Sequence, residues 1–332
     1  MDHFSLYNQA DNYSQDIWIL KVHDAEQRFA FWFQITSFLS EKGSQEIVFS
    51  VSYFNALNPE KENRLLTQRY NPEQCTFEFT AENGLRFESD SIVMTEHNSK
   101  GTLSTFHDTI KWNVNWFADP DTSFRYFSSK SFYRYANPAA KLYTPNPLLR
   151  IDGKISVGEL DISLDSAPGI QSHVWGDSIQ DNFIWLQCNA FEETDFAEIE
   201  ALTFTPFNSF PLNPKLSVLR INLFQEQHIF NRVTDMFKLN SSTGDNAYML
   251  AAESDNLRIQ LQSRYESEFL MVQNLSNRHF AYTGIAGMQV MVSEKAGKSW
   301  SVSQKLTSQS GANLMLPANN THPEDSPTLK LM

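Results

Sequence analysis

Residues 164–191 read Leu164-Asp165-Ser166-Ala167-Pro168-Gly169-Ile170-Gln171-Ser172-His173-Val174-Trp175-Gly176-Asp177-Ser178-Ile179-Gln180-Asp181-Asn182-Phe183-Ile184-Trp185-Leu186-Gln187-Cys188-Asn189-Ala190-Phe191. Pro168-Gly169 is a turn pair, since proline presets one backbone angle and glycine accepts the positive one that follows. A strand is therefore expected to restart near Ile170 and to stop or bulge at Gly176. The period of two then places Gln171, His173 and Trp175 on one face and Ile170, Ser172 and Val174 on the other. Phe183 to Phe191 repeats the device. Ile184, Leu186, Cys188 and Ala190 make a purely apolar face, while Phe183, Trp185, Gln187, Asn189 and Phe191 mix aromatic rings with amides. That mixture is the lining expected of a ligand cavity with a few polar fixtures.

Outward from this stretch, the same alternation recurs in both directions. Asp16–Val22, Arg28–Ile35, Ile47–Tyr53, Cys75–Thr80, Leu85–Phe87, Ile92–Met94, Gly101–Phe106 and Ile110–Trp116 read as strands. The last is the clearest, with Ile110, Trp112, Val114 and Trp116 alternating with Lys111, Asn113 and Asn115. Asn55 to Arg69 is polar and reads as a loop with one short helical turn. Asn137-Pro138 and Thr144-Pro145-Asn146-Pro147 carry the strongest linker signal, because prolines two apart forbid helix and interrupt a ladder. Lys154 to Leu164 is expected to be a hairpin around Gly158. Further alternating runs follow at Glu198–Phe204, Leu216–Leu223, Ala247–Ala252, Leu257–Leu261, Phe269–Gln273, Gly287–Val292 and Trp300–Val302. No window holds an amphipathic helical pattern for three turns. Short, evenly spaced strands without helical crossovers mean an all-β antiparallel sandwich or barrel. The expected division is an N-terminal domain over 1–150 and a C-terminal domain over 151–332, with a disordered tail from about 317.

Ala167-Pro168-Gly169, His173-x-Trp175-Gly176 and Trp185-x-Gln187-Cys188-Asn189-x-Phe191 together resemble the central signature of the lipocalin-like tocopherol cyclase and carotenoid 1,2-hydratase group, to which AttH-type proteins are related. The resemblance covers roughly a fifth of the chain. It implies two consecutive lipocalin-like (calycin) β-barrels, with the signature opening the second. It also implies cofactor-free chemistry, in which a carbon–carbon double bond of an isoprenoid is protonated so that water or a phenol oxygen can add. The hydratases are expected to carry a Tyr-x-Asp pair downstream of the His-x-Trp; this chain offers Glu198 and Glu200 in the comparable region.

Composition narrows the partners. The chain has 332 residues, 41% hydrophobic and 13% aromatic, with 26 Phe and 7 Trp, which is globular and rich in rings. With 26 basic against 39 acidic residues the net charge is −13, a surface that repels phosphate backbones, so nucleic acid is not an expected partner. No apolar run approaches the roughly 20 residues of a transmembrane helix. The N-terminus lacks a basic-then-apolar leader, so a cytoplasmic location is the expectation. Cys75 and Cys188 show no metal-ligand spacing, and no phosphate loop, nucleophile elbow or zinc motif occurs, so neither metal nor cofactor is expected.

Protonating an alkene needs an acid in a dry, aromatic-walled pocket. The candidate proton path is His173 with Asp177 or Asp181. Glu192 and Glu193 lie beyond the second strand. The candidate ligand-binding residues are Gln171, Trp175, Phe183, Trp185, Gln187, Asn189 and Phe191. The leading function is binding of a hydrophobic small molecule (isoprenoid, lipid or polyketide) in a barrel cavity, with cyclisation or hydration by acid catalysis. The rivals are a non-catalytic carrier of lipocalin type, and a scaffold whose lumens are filled and whose interface is functional. Neither the ligand's identity nor the oligomeric state is legible in the sequence.

Overall fold

The structure is a computed structural model. It describes residues 14–24, 26–39, 44–80, 84–117, 122–134, 139–179, 182–206, 214–223, 226–244, 246–275 and 278–318, without the side chains of 60, 61, 134, 274 and 278. Asp181 and the segment 319–332 lie outside them.

Two antiparallel sheets account for nearly all of the secondary structure. The first is built from β1 (Gln15–Asp24), β2 (Phe29–Leu39), β3 (Gln45–Asn55), β4 (Arg64–Tyr70), β5 (Cys75–Thr80), β6 (Gly84–Ser89), β7 (Ile92–Thr95), β8 (Asn98–Ser104), β9 (Thr109–Phe117), β10 (Phe124–Arg125), β11 (Ala140–Val157) and β12 (Leu160–Gly176). The second comprises β13 (Ile184–Cys188), β14 (Glu198–Phe204), β15 (Leu216–Leu223), β16 (Glu226–Phe230), β17 (Asn240–Gly244), β18 (Ala247–Glu253), β19 (Leu257–Arg264), β20 (Met271–Leu275), β21 (Arg278–Ala296) and β22 (Ser299–Pro317). The first sheet runs β4-β3-β2-β1-β12-β11-β9-β8-β7-β6-β5 and is a nearly closed barrel. The second runs β16-β15-β14-β13-β22-β21-β19-β18-β17 and is a curled half-barrel. This is the all-β, tandem calycin-like arrangement that the strand pattern and the resemblance imply.

Four expectations need correction. Strand β12 pairs with β1, His173 opposite Trp18 and Gly169 opposite Val22, so the signature completes the first barrel instead of opening the second. The change of sheet falls between Gly176 and Ile184, not near residue 150. Thr144-Pro145-Asn146-Pro147 is not a linker but part of β11; register shifts around Asn146 absorb the missing proline donors. Pro168-Gly169 is no turn either. It lies within β12, and Gly169 is required because a Cβ there would lie 2.7 Å from the Lys21 carbonyl oxygen. The hairpin around Gly158 is as expected, with Val157 opposite Leu160. Strand β4 escaped the sequence reading because its exposed polar face breaks the apolar pattern. β22 reaches Pro317, where a disordered tail was expected to begin.

Rings fill the inside of the first barrel. Phe31 stacks on Tyr53 at 4.9 Å, Phe49 on Trp112 at 5.7 Å, and Phe33 and Phe87 pack beside them at 5.3 Å. The two tryptophans of β9, Trp112 and Trp116, are buried and contribute to this core. The other face of β1–β3 docks on the second sheet. There Gly284 on β21 comes so near that an added Cβ would lie 2.7 Å from Ala30 Cβ and 3.1 Å from Trp32 Nε1. Gly284→Val is therefore expected to cost about 1–3 kcal/mol by forcing the two sheets apart, read as a lower midpoint in urea unfolding; an unchanged midpoint would mean the sheets are not held this close.

Candidate functional site

The structure divides the predicted constellation in two. Gln171, His173 and Trp175 share a face, as their alternation requires, and that face looks into the first barrel. His173 is fully buried with its ring between two indoles, Trp18 at 4.1 Å and Trp175 at 4.5 Å. Tyr133 covers the far side of Trp175 at 5.8 Å. His173 Nε2–H donates to Asp16 Oδ1 at 2.8 Å. Burial pushes its pKa down, against the pull of Asp16, which favours a neutral imidazole. Gln171 Oε1 accepts from Asn146 Nδ2 at 2.6 Å. With indole on both faces, the imidazole is a packed ring inside the first barrel. Its carboxylate partner is Asp16 from β1, a residue 157 positions away, and not Asp177, which is exposed past the end of β12. Asp181 lies outside the described residues.

The second half of the constellation faces the other way. On β13 the apolar side, Ile184, Leu186 and Cys188, enters the core of the second sheet together with Phe191. Phe183 and Trp185 join the core that continues into the first barrel. Gln187 opposes Glu200 on β14, Glu200 opposes Arg220 on β15, and Asn313 on β22 opposes Gln187 from the other flank. A row of four polar residues, each no more than 1% exposed, thus crosses the second sheet where it meets the first.

Lys21 of β1 projects onto this row. Its ammonium lies 4.2 Å from the Trp32 ring and 4.1 Å from the Trp185 ring, a cation held between two π faces, and it donates to Gln187 Oε1. Gln187 Nε2 donates to Glu200 Oε1 at 2.9 Å and Oε2 at 2.8 Å, and to Ser172 Oγ at 3.0 Å. Trp185 Nε1 donates to Tyr126 OH at 2.8 Å, and that hydroxyl donates to Glu200 Oε2. A chain of hydrogen bonds therefore runs from an ammonium on one sheet to a carboxylate on the other. Beside it Arg220 Nη2 pairs with Glu198 Oε1 at 2.5 Å, both side chains 2% exposed.

Burial dominates the electrostatics. It pushes the Lys21 ammonium well below its ordinary range, opposed by Glu200, and raises the Glu200 carboxyl, opposed by Tyr126, Gln187, Lys21 and Arg220. Burial thus weakens the charged form of each group, while their mutual attraction and the hydrogen bonds between them favour it.

Three further buried residues carry polar atoms with no hydrogen-bond partner among the described residues. His23, two residues along β1 from Lys21, is fully buried with neither ring nitrogen hydrogen-bonded among the described residues. Asn189 Oδ1 and Asn313 Nδ2 are also unmatched, although Asn189 Nδ2 donates to Gly169 O at 2.8 Å and Asn313 Oδ1 accepts from Trp32 Nε1 at 3.1 Å. Unmatched polar atoms at such depth are uncommon, and a bound water or a polar group of a ligand would satisfy them.

Burial, with Lys21 and Arg150 adding to it, lowers the His23 pKa to about 3. Between roughly pH 6.5 and pH 3 the unfolded chain binds a proton that the folded chain refuses, so stability falls as pH falls through that window. The shift corresponds to roughly 5 kcal/mol. Urea unfolding at pH 7 and pH 4 should show the loss in the wild type and a smaller one in His23→Gln; equal slopes would place the sensitivity elsewhere.

The comparisons with known proteins bear on the architecture. No family model matches the chain, and no curated protein matches it. Its fold is similar to that of a solved bacterial protein. That structure, a "putative AttH" protein from Nitrosomonas europaea, superposes with a TM-score of 0.56 over 95% of this chain and 96% of its own, at 9% identity. Identity at that level supports the shared tandem-barrel fold alone. Among the described residues no helix is long and apolar enough to cross a membrane, and no cluster of three or more His, Cys, Asp or Glu has metal-binding geometry.

The sequence reading missed Lys21, Trp32, Tyr126 and Arg220, and named Glu198 and Glu200 only as stand-ins for another motif. Two signals were there. Lys21 interrupts the otherwise apolar run Ile17-Trp18-Ile19-Leu20-Lys21-Val22, and Glu198-Ile199-Glu200-Ala201-Leu202 sets carboxylates at strand spacing inside an apolar strand. A lone charge in such a run is exposed or paired, and here each is paired.

Proposed function

We propose that the junction between the two barrels binds the polar end of an apolar small molecule, an isoprenoid, lipid or polyketide, and that Glu200 protonates it without a cofactor. The observation that carries this reading is the buried chain Lys21–Gln187–Glu200–Tyr126 clasped between the indoles of Trp32 and Trp185. Aromatic faces stabilise a developing carbocation. Burial raises the Glu200 pKa against the hydrogen bonds it accepts from Tyr126 and Gln187, and a carboxyl that keeps its proton is the donor that alkene protonation requires. His23, Asn189 and Asn313 supply unmatched donors and acceptors for a hydroxyl or carbonyl of the ligand. The resemblance to the tocopherol cyclase and carotenoid 1,2-hydratase group, which calls for the same cofactor-free acid chemistry, supports the reading. It moves that chemistry from His173, Asp177 and Asp181 to Glu200.

The carrier reading retains one observation in its favour: each polar group in the Lys21–Glu200 chain already has a protein partner, as a purely structural clasp would. Incubating the full chain with a lipid extract and recording native mass spectra separates the two. Catalysis predicts a retained lipid and its conversion, a gain of one water for hydration or an isomer of altered retention time for cyclisation. A carrier retains the lipid unchanged. If no lipid is retained, the ligand reading itself fails.

A further inference from the structure

Away from the junction, on the outer face of the first barrel, the turn between β6 and β7 rises beside strands β8, β9 and β11 to wall a groove of about 540 Å³. That volume lies within the usual range for small-molecule sites. Its lining includes Lys100, Lys111 and Lys154, all exposed. The strand register fixes their arrangement. Asn113 opposes Lys100 on one side and Lys154 on the other, while Lys111 opposes Thr102 and Ser156. Two cross-strand rows result, Lys100–Asn113–Lys154 and Thr102–Lys111–Ser156. With neighbouring strands about 4.8 Å apart and alternate residues about 6.8 Å apart, the three lysine Cα atoms lie within roughly 8–10 Å of one another. Flexible four-carbon stems can then bring all three ammonium groups onto one oxyanion.

Three like charges this close repel unless something neutralises them. Among the described residues none of the three lysines has a carboxylate within ion-pairing distance. The groove contains one acidic residue, Asp90. Nearby, Glu88 is engaged by Arg86 at 2.6 Å, and Asp161 accepts from Ser156 Oγ at 2.5 Å. Ser89, Ser91 and Thr102 add hydroxyl donors to the same lining. In a chain of net charge −13, a local surplus of positive charge beside hydroxyls and an amide is a selective feature of this groove.

We propose that this groove binds a small molecule bearing a phosphate or pyrophosphate group, held by Lys100, Lys111 and Lys154 around Asn113. The long-range repulsion of a −13 surface argues for a compact solute and against an anionic membrane, which would bring many negative charges to the whole face. The site is separate from the inter-barrel junction and does not depend on the function proposed there.

Isothermal titration of the full chain with inorganic pyrophosphate, at low and at physiological salt, tests this. The expected result is saturable one-to-one binding that weakens with salt. It should weaken about fivefold in each of Lys100→Gln, Lys111→Gln and Lys154→Gln, and about a hundredfold in the triple variant. Lys298→Gln, at the β21–β22 turn, should bind as the wild type does. All the altered side chains are exposed, and circular dichroism checks the fold; should the triple variant unfold, the single variants decide. No saturable binding, or a triple variant within about twofold of wild type, overturns the proposal. Sedimentation with phosphatidic acid vesicles in the absence of pyrophosphate binding would overturn it too, by assigning the lysines to a membrane surface.

Discussion

Replacing Arg220 by methionine is expected to lower the unfolding free energy by about 3–5 kcal/mol, because it strands the Glu198 carboxylate in a protein interior. The guanidinium lies 2.5 Å from that carboxylate and 5.3 Å from the Phe124 ring. With its amide turned to present oxygen, Gln227 accepts from Arg220 Nε at 2.9 Å and Nη2 at 2.8 Å. The loss should be largely recovered in the double variant Arg220→Met with Glu198→Gln, since the second change removes the stranded charge. Urea unfolding of the four proteins closes the double-mutant cycle. If Arg220→Met costs less than about 1 kcal/mol, the pair is solvated and the junction is wetter than its geometry implies.

The second large effect is on chemistry. Glu200→Gln keeps the shape of the side chain and an acceptor for Tyr126 and Gln187 but removes the acid, so conversion of the bound lipid should fall by about 10²–10⁴-fold while the lipid is still retained. Lys21→Met should weaken the same step less, since Lys21 reaches Glu200 only through Gln187. A carrier would show neither effect on conversion and would change only in retention.

Much of this architecture is visible in the chain before any coordinates. The alternation in 170–175 and 183–191 puts the right side chains on shared faces, because successive side chains of a strand point to opposite sides. What alternation cannot tell is which sheet a strand joins. Pairing of β12 with β1 is decided by the fit of Gly169 beneath the Lys21 carbonyl and by rings stacking around His173, contacts between residues about 150 positions apart. The prolines at 145 and 147 misled for a related reason: they do break a ladder locally, but a bulged strand as long as β11 continues past them. The junction was the least legible part. Lys21, Tyr126, Gln187 and Glu200 lie on four separate segments, and only the docking of the two sheets turns four unremarkable positions into one network. His173, named for the proton path, lies between two indoles inside the first barrel.

One comparison tests the central claim most directly: lipid conversion by Glu200→Gln set beside conversion by His173→Gln, both folded by circular dichroism and both scored for lipid retention. The account predicts that Glu200→Gln retains lipid and loses conversion, while His173→Gln, altered only inside the first barrel, still converts it. Loss of conversion in His173→Gln with wild-type conversion in Glu200→Gln would contradict it and return the chemistry to the first barrel's interior.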